Sequence, residues 1–294
     1  MLFLMLLTLP LLFVGIINKL KARFVGKRGA SIYQPYYDVT KLLKKGEVIS
    51  NTTSLIFKLA PSVNLACVII AGLLLTLFHF NGDFILFSYI LALGKFFTVV
   101  AAMDTGSSFE GMGASREVCF TTIVEPAFFM IMASIMAISG NYTFDALTMI
   151  LEKAGTYGVL IIIFAVVALF MMVLIECSRV PVDDPTTHLE LTMIHEVMIL
   201  DNSGKDFAFL TWSNSIKMLL ISSLIANLLI PQGLEMWQSF SAYLAVLFII
   251  ALLIGTVESG MARIRMTHVF EFVFVMSSIA LIILSLVVAG MFGG

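Results

Sequence analysis

Charge is the first thing this sequence lacks. Only 12% of its 294 residues are Asp, Glu, Lys or Arg, about half of the roughly 25% carried by a soluble globular domain. That shortage excludes a water-soluble domain, and with it a nucleic-acid binder, which needs a basic, solvated face. Cysteine is scarce too. Cys67, Cys119 and Cys177 stand singly in or beside apolar runs, with no Cys-x-x-Cys pair. Such spacing supports neither a disulfide framework nor a thiolate-bound zinc or iron–sulfur centre, so the three read as small apolar packing residues. Histidine offers no metal site. His195-Glu196 is followed by Ile199 where H-E-x-x-H needs its second His, and His188, on the same helical face as His195, brings no third ligand. A P-loop lysine motif is missing, so this chain alone is no ATP-driven machine. The expectation is a chain that binds no metal or cofactor and has no catalytic residue of its own.

What is there is a series of long apolar runs. Eight segments, about 1–18, 55–80, 84–103, 118–140, 157–177, 211–231, 239–257 and 268–290, are long enough to cross a hydrocarbon layer of about 30 Å as helices. The first is read as a retained helix rather than a signal peptide, because its Lys and Arg residues follow the apolar stretch. Pro61 and Asn64 predict a kink near the start of the second. The fold class is therefore all-α and polytopic, with about eight transmembrane helices and an interfacial amphipathic helix, in one domain over 1–294. No internal repeat or low-complexity segment is visible.

Orientation follows from the basic residues. Lys19, Lys21, Arg23, Lys27, Arg28, Lys41, Lys44, Lys45, Arg116, Arg179, Lys205, Arg263 and Arg265 fall in loops on one side, against Lys153 on the other; Lys58, Lys95 and Lys217 lie within spans. The loops 19–54, 104–117 and 178–210 are thus expected in the cytoplasm and both termini outside. The 19–54 loop has a net charge of +6. Its plain reading is an orientation determinant resting on anionic headgroups. Yet Tyr33-Gln34-Pro35-Tyr36-Tyr37-Asp38 reads as a turn, followed by a short helix with Val39, Leu42 and Leu43 on one face and Asp38, Lys41 and Lys45 opposite. Arg28-Gly29 ahead of it predicts a special turn. The 178–210 loop is the reverse, at −4. Leu189, Leu191, Met193, Ile194, Val197 and Met198 interleave with Asp183, Asp184, Glu190, Glu196, Asp201 and Asp206. That pattern predicts a helix half-buried against protein, with carboxylates desolvated enough to exchange protons near neutral pH; a solvated cap on the bundle is the alternative.

Ionisable residues also fall inside or at the ends of spans: Lys95, Glu125, Glu176, Lys217, Glu258 and Glu271. A charge at mid-bilayer costs about 2.5–3.5 kcal/mol on insertion scales, so such residues point to an ion or proton route. Glu125 leads, because Pro126 beside it frees a backbone carbonyl. Glu176 has the plainer alternative of an i, i+3 ion pair with Arg179. Lys217, Glu258 and Glu271 have that of reaching the headgroups.

Taken together, these motifs resemble the subunit 1 family of respiratory complex I, and more closely the membrane-anchor subunit of group 4 nickel–iron hydrogenases, formate hydrogenlyases included. Arg28-Gly29 and Gln34-x-Tyr36-x-Asp38-x-x-Lys41-Leu42 resemble the family's first cytoplasmic loop. Asp104-Thr105-Gly106-Ser107, Gly113-Ala114-Ser115-Arg116-Glu117 and Glu125-Pro126 resemble the hydrogenase branch. Glu176-x-x-Arg179-x-Pro181-x-Asp183, Glu190-Leu191 and Asp201-x-Ser203-Gly204 resemble the acidic loop after the fifth helix. Ala30 departs from the proline that usually follows Arg-Gly, and Thr186, Thr187 and His188 stand where relatives place carboxylates.

The resemblance implies a non-catalytic anchor and ion-coupling subunit. Glu125, Glu176, Asp183, Asp184, Glu190 and Lys95 would form the proton or ion path. Arg28, Gln34, Tyr36, Asp38, Lys41, Arg116, Glu117, Arg179, Glu196 and Asp201 would serve docking. Implied partners are iron–sulfur and large and small hydrogenase-like subunits in the cytoplasm, and antiporter-like subunits in the membrane. Iron–sulfur clusters would sit on those partners, with a nickel–iron centre left open. A quinone-chamber subunit of complex I is the alternative within the class. A stand-alone secondary transporter is the alternative outside it, disfavoured by the lack of inverted repeats.

Overall fold

The computed structural model describes residues 2–50, 52–77, 80–153, 155–184, 193–231 and 233–292, with the backbone alone at 2–4, 151–153, 155–157 and 291–292. Glu190 and its neighbours Thr186, Thr187, His188, Leu189 and Leu191 lie outside the described residues.

Eleven helices and no strand are found among the described residues: α1 (Leu2–Phe24), α2 (Gln34–Leu43), α3 (Leu55–Leu77), α4 (Asp83–Asp104), α5 (Ser108–Ser139), α6 (Ala146–Lys153), α7 (Gly155–Glu176), α8 (His195–Met198), α9 (Gly204–Leu229), α10 (Met236–Gly260) and α11 (Met266–Phe292). Eight of them, all but α2, α6 and α8, are long and apolar enough to cross a membrane. The chain is an all-α, multi-pass membrane protein, as its apolar runs predict. Three boundaries differ from the sequence reading. Helix α5 starts at Ser108, so most of the segment read as the 104–117 loop is helix. At 32 residues α5 runs about 48 Å, well beyond the hydrocarbon thickness, and its first turns stand clear of it. Helix α2 starts at Gln34 rather than after Asp38, because Pro35 falls in its first turn, where no backbone N–H is required. And the connection read as plain loop over 141–156 contains α6.

Helix α9 has the largest buried share of any span. It packs on α1, α3, α7 and α10, while α3 pairs with α4 and α5 with α11. Lipid tails are as apolar as Leu, so burial of apolar surface does little to hold such helices together; close packing and interhelical hydrogen bonds do. Both occur here. A Cβ on Gly94 would stand 2.7 Å from Asn64 Oδ1 and 3.1 Å from Cys67 Cβ, so the missing side chain at 94 lets α4 lie close on α3. Asn64 Nδ2 donates to Ser213 Oγ at 3.0 Å, joining α3 to α9. Trp212 Nε1 donates to the Leu7 carbonyl at 3.0 Å, joining α9 to α1.

One end of the bundle gathers the long connections. Ser203 Oγ bonds both the N–H and the carbonyl of Val48, the Ser54 N–H donates to Asp104 Oδ2, and the Ile264 N–H donates to the Pro181 carbonyl. Helix α2 lies across this end with Val39 buried against Leu11 of α1 and Ala208 of α9. The turn before it is special, as expected: Gly29 has φ +62°, and its Cα lies against the Ala22 side chain. At the opposite end the Gly82 N–H donates to the Tyr142 carbonyl and the Phe144 N–H to Asp83 Oδ2.

Candidate functional site

Below the loop-bearing end, four spans each contribute charge to one buried cluster. Lys95 of α4 is held at 2.8 Å from Glu176 of α7 and 3.0 Å from Glu117 of α5, and its ammonium also donates to Thr121 Oγ1 at 2.9 Å. Lys217 of α9 reaches the second oxygen of Glu176 at 3.4 Å. Two ammoniums against two carboxylates make the set neutral as a whole. Neutrality is what allows it inside, since a buried charge is tolerated when paired and hydrogen-bonded. Glu176 therefore does not form the i, i+3 pair with Arg179, and Lys217 does not reach for headgroups; each has a stronger partner across the bundle. Glu125, two turns further along α5, is half-buried. It lines a cavity of about 30 Å³ with Lys95, Glu176 and Lys217 and closes no ion pair among the described residues. It is the fifth ionisable group beside a set already balanced.

A second cluster lies nearer the loops. Asp183 is fully buried; its Oδ2 accepts from the N–H groups of Ile194 (3.0 Å) and His195 (3.2 Å), and its Oδ1 accepts from the Asp184 N–H (2.9 Å) and meets Arg263 at 3.1 Å. Burial raises the Asp183 carboxyl, and those N–H groups and Arg263 oppose the rise. Glu258, whose side chain is fully enclosed, takes Lys21 at 2.8 Å and Arg179 at 3.2 Å. It ties the loop-bearing ends of α1 and α10 to the segment after α7, and snorkelling is excluded for it. Glu271 is different: it is exposed and meets His268 at 2.9 Å.

The two clusters meet at α8. His195 lines a small cavity with Lys95, Glu117 and Lys217. Burial pushes its imidazole down to about 4, so it is neutral at pH 7. Glu196, the next residue, lies within electrostatic reach of Asp183 and Arg179; burial foremost, then the Asp183 charge, pushes it up to about 7. A proton held by Glu196 in the folded state and lost on unfolding makes stability fall as pH rises from about 4.5 to 7 and level off above. The drop should total about 3 kcal/mol. Melting temperatures of the purified complex between pH 5 and 8 should show this slope in the wild type and lose it in Glu196→Gln.

Among the described residues of 178–210, which exclude 185–192, the turn α8 stands ahead of the start of α9, and Met193, Ile194, Val197 and Met198 are buried. The docking set divides. Arg28 and Lys41 are exposed. Gln34 donates to Asp38 along α2 at 2.8 Å, and the Tyr36 hydroxyl donates to the Thr8 carbonyl. Arg116 holds the Met193 carbonyl at 2.9 Å. Asp201 is exposed, and its N–H donates to Glu110. Asp184 is half-buried. Glu117 and Arg179, however, point inward to Lys95 and Glu258. A docking surface is not what they offer, because a buried charge goes to the nearest opposite charge. Glu110, fully buried, escaped the sequence reading. It stands seven residues before Glu117, on the same face of α5, a periodicity hidden by treating 104–117 as loop.

The NADH dehydrogenase family profile matches residues 1–289. The chain is 31% identical over 273 residues to Hydrogenase-4 component C of Escherichia coli, covering 88% of this chain and 85% of that one. It is 27% identical over 265 residues to Formate hydrogenlyase subunit 4 of the same organism, covering 86% and 85%. A chain of the membrane-bound sulfane sulfur reductase, an archaeal respiratory membrane complex, has the same fold, with a TM-score of 0.81 at 19% identity over 97% of this chain and 96% of that one.

Proposed function

The chain belongs to the NADH dehydrogenase family, and from that premise we propose that it is the membrane-anchor and ion-coupling subunit of a hydrogenase-like or formate-hydrogenlyase-like complex. The two E. coli relatives are named as parts of such complexes, and this chain, like them, works with partner subunits. The basic loops support a loop-bearing end in the cytoplasm with the termini outside, and the E. coli relatives support the inner membrane of a prokaryote. There it would receive iron–sulfur and hydrogenase-like subunits, with antiporter-like subunits beside it in the membrane. Redox cofactors belong to those partners.

One observation carries the coupling role. The cluster of Lys95, Glu117, Glu176 and Lys217 lies among the spans directly beneath α8, and α8 is latched to the surface segment by Asp183. A partner that moves the 193–198 segment changes the field at the cluster, and Glu125, beside it and without an ion partner among the described residues, would take up or release the proton that balances the change.

Glu125→Gln tests this. The amide keeps the shape and hydrogen bonding and removes the titratable proton. Ion translocation per electron, measured in liposomes containing the whole complex, should fall by roughly tenfold or more with assembly intact. Unchanged translocation per electron means that Glu125 is not on the route.

A further inference from the structure

Between α3, α4, α8 and α9 lies a cavity of about 30 Å³, lined by Asn64, Lys95, Glu117, His195, Asn214 and Lys217 among others. Charged and amide groups line it beside Val68, Leu91 and Met198, so it is a mixed site rather than one of the purely apolar voids that stay dry. A water needs roughly 10–15 Å³ and two to four polar partners, so one or two fit. The second observation is Asn214 Oδ1. It is buried and has no hydrogen-bond partner among the described residues, and a buried amide acceptor left without a donor is unfavourable. Its neighbour in the sequence, Ser213, spends its hydroxyl on the Leu210 carbonyl and accepts from Asn64, leaving nothing for Asn214. The cavity that Asn214 itself lines is beside this acceptor.

We propose that this cavity is a permanent water site, held by Asn214, through which His195 passes protons between the loop-bearing end and the Lys95–Glu176–Lys217 cluster. This deepens the coupling role above and rests on it for the direction of traffic; the water site itself does not. His195 suits the task because it stays neutral there. A neutral imidazole accepts a proton at one ring nitrogen and releases one from the other, so no net charge remains on the ring. Asn214 is a positioning residue: it holds the water and exchanges no proton.

Hydroxyl-radical labelling of the assembled complex, with radicals generated by radiolysis in isotope-labelled water, reads the site directly. Met198 lines the cavity and is only 2% exposed. It should gain labelled oxygen about tenfold faster than Met132 or Met276, which are 0% exposed and away from the cavity. Equal rates in the wild type mean a dry cavity and overturn the proposal without recourse to any variant. Asn214→Leu should abolish the excess labelling of Met198, and Asn214→Asp, which keeps an acceptor, should retain it; excess labelling that survives Asn214→Leu removes Asn214 from the site. His195→Gln should keep the labelling yet slow ion translocation about tenfold, and translocation at the wild-type rate overturns the relay. A labelled Met198 combined with unaltered pumping in Glu125→Gln would leave the water site standing and the Glu125 role refuted, so the two readings fail separately.

Discussion

Glu176→Leu is expected to destabilise the chain by about 3–5 kcal/mol, because it strands the Lys217 ammonium inside the membrane. Glu176 is the carboxylate that Lys95 and Lys217 share, at 2.8 and 3.4 Å. Lys95 keeps Glu117 at 3.0 Å when Glu176 is gone, but Lys217 has no other ion partner among the described residues. The pair of changes Glu176→Leu and Lys217→Met removes one charge of each sign and should recover most of the loss, as replacement of a whole buried pair by apolar residues usually does. The quantity to follow is the amount of chain in the membrane, together with its melting temperature in detergent. If Glu176→Leu melts like the wild type, or Lys217→Met fails to rescue it, the cluster is not held by the pairing described. Lys95→Met in the Glu176→Leu background should rescue less, since it deprives Glu117 of its partner.

The second large effect is expected at Asp183. Its carboxylate is the common acceptor for the N–H groups of Ile194 and His195 and also meets Arg263. Hydrogen bonds to charged groups contribute about 1.5–3 kcal/mol each, so Asp183→Ala should weaken the attachment of the 193–198 segment by about 3 kcal/mol or more. At 1.36 kcal/mol per decade, that corresponds to roughly 100-fold faster hydrogen exchange at the Ile194 and His195 amides. Asp183→Asn, which retains one acceptor oxygen, should fall between the two. The membrane-spanning helices should be unaffected, and the peripheral subunits should come away more readily in mild detergent. Unaltered exchange at those two amides would mean that Asp183 is not the latch.

Much of this was legible without a structure. Each span announces itself in an apolar run, because a helix in lipid must satisfy its own backbone and cover itself with apolar side chains. The amphipathic helix α2 was visible in Val39, Leu42 and Leu43, and the tight turn before it in Gly29. Where the reading failed, it failed at ends. Ser108–Glu117 carries Glu110, Arg116 and Glu117 among small residues, so local polarity looks like loop; the helix persists because each of the three finds a partner, Glu110 in the Asp201 N–H, Arg116 in the Met193 carbonyl and Glu117 in Lys95. The site residues were legible as a set of ionisable groups in apolar surroundings and not as pairs. Lys95 and Glu176 are 81 residues apart, and Lys21 and Glu258 are further apart still, so no local spacing rule connects them. Arg179 illustrates the error that follows. Its nearest carboxylate in sequence is Glu176, but in space it is Glu258.

The sequence alone determines that this chain is a multi-pass helical membrane protein, because transfer of side chains into lipid is a local property, summed residue by residue along each run. Which charges neutralise which was decided only by tertiary structure, because electrostatic pairing depends on distance between helices rather than position within them. The same packing joined Asn64 to Ser213, left Asn214 Oδ1 without a donor among the described residues and put His195 beside Lys95 and Lys217.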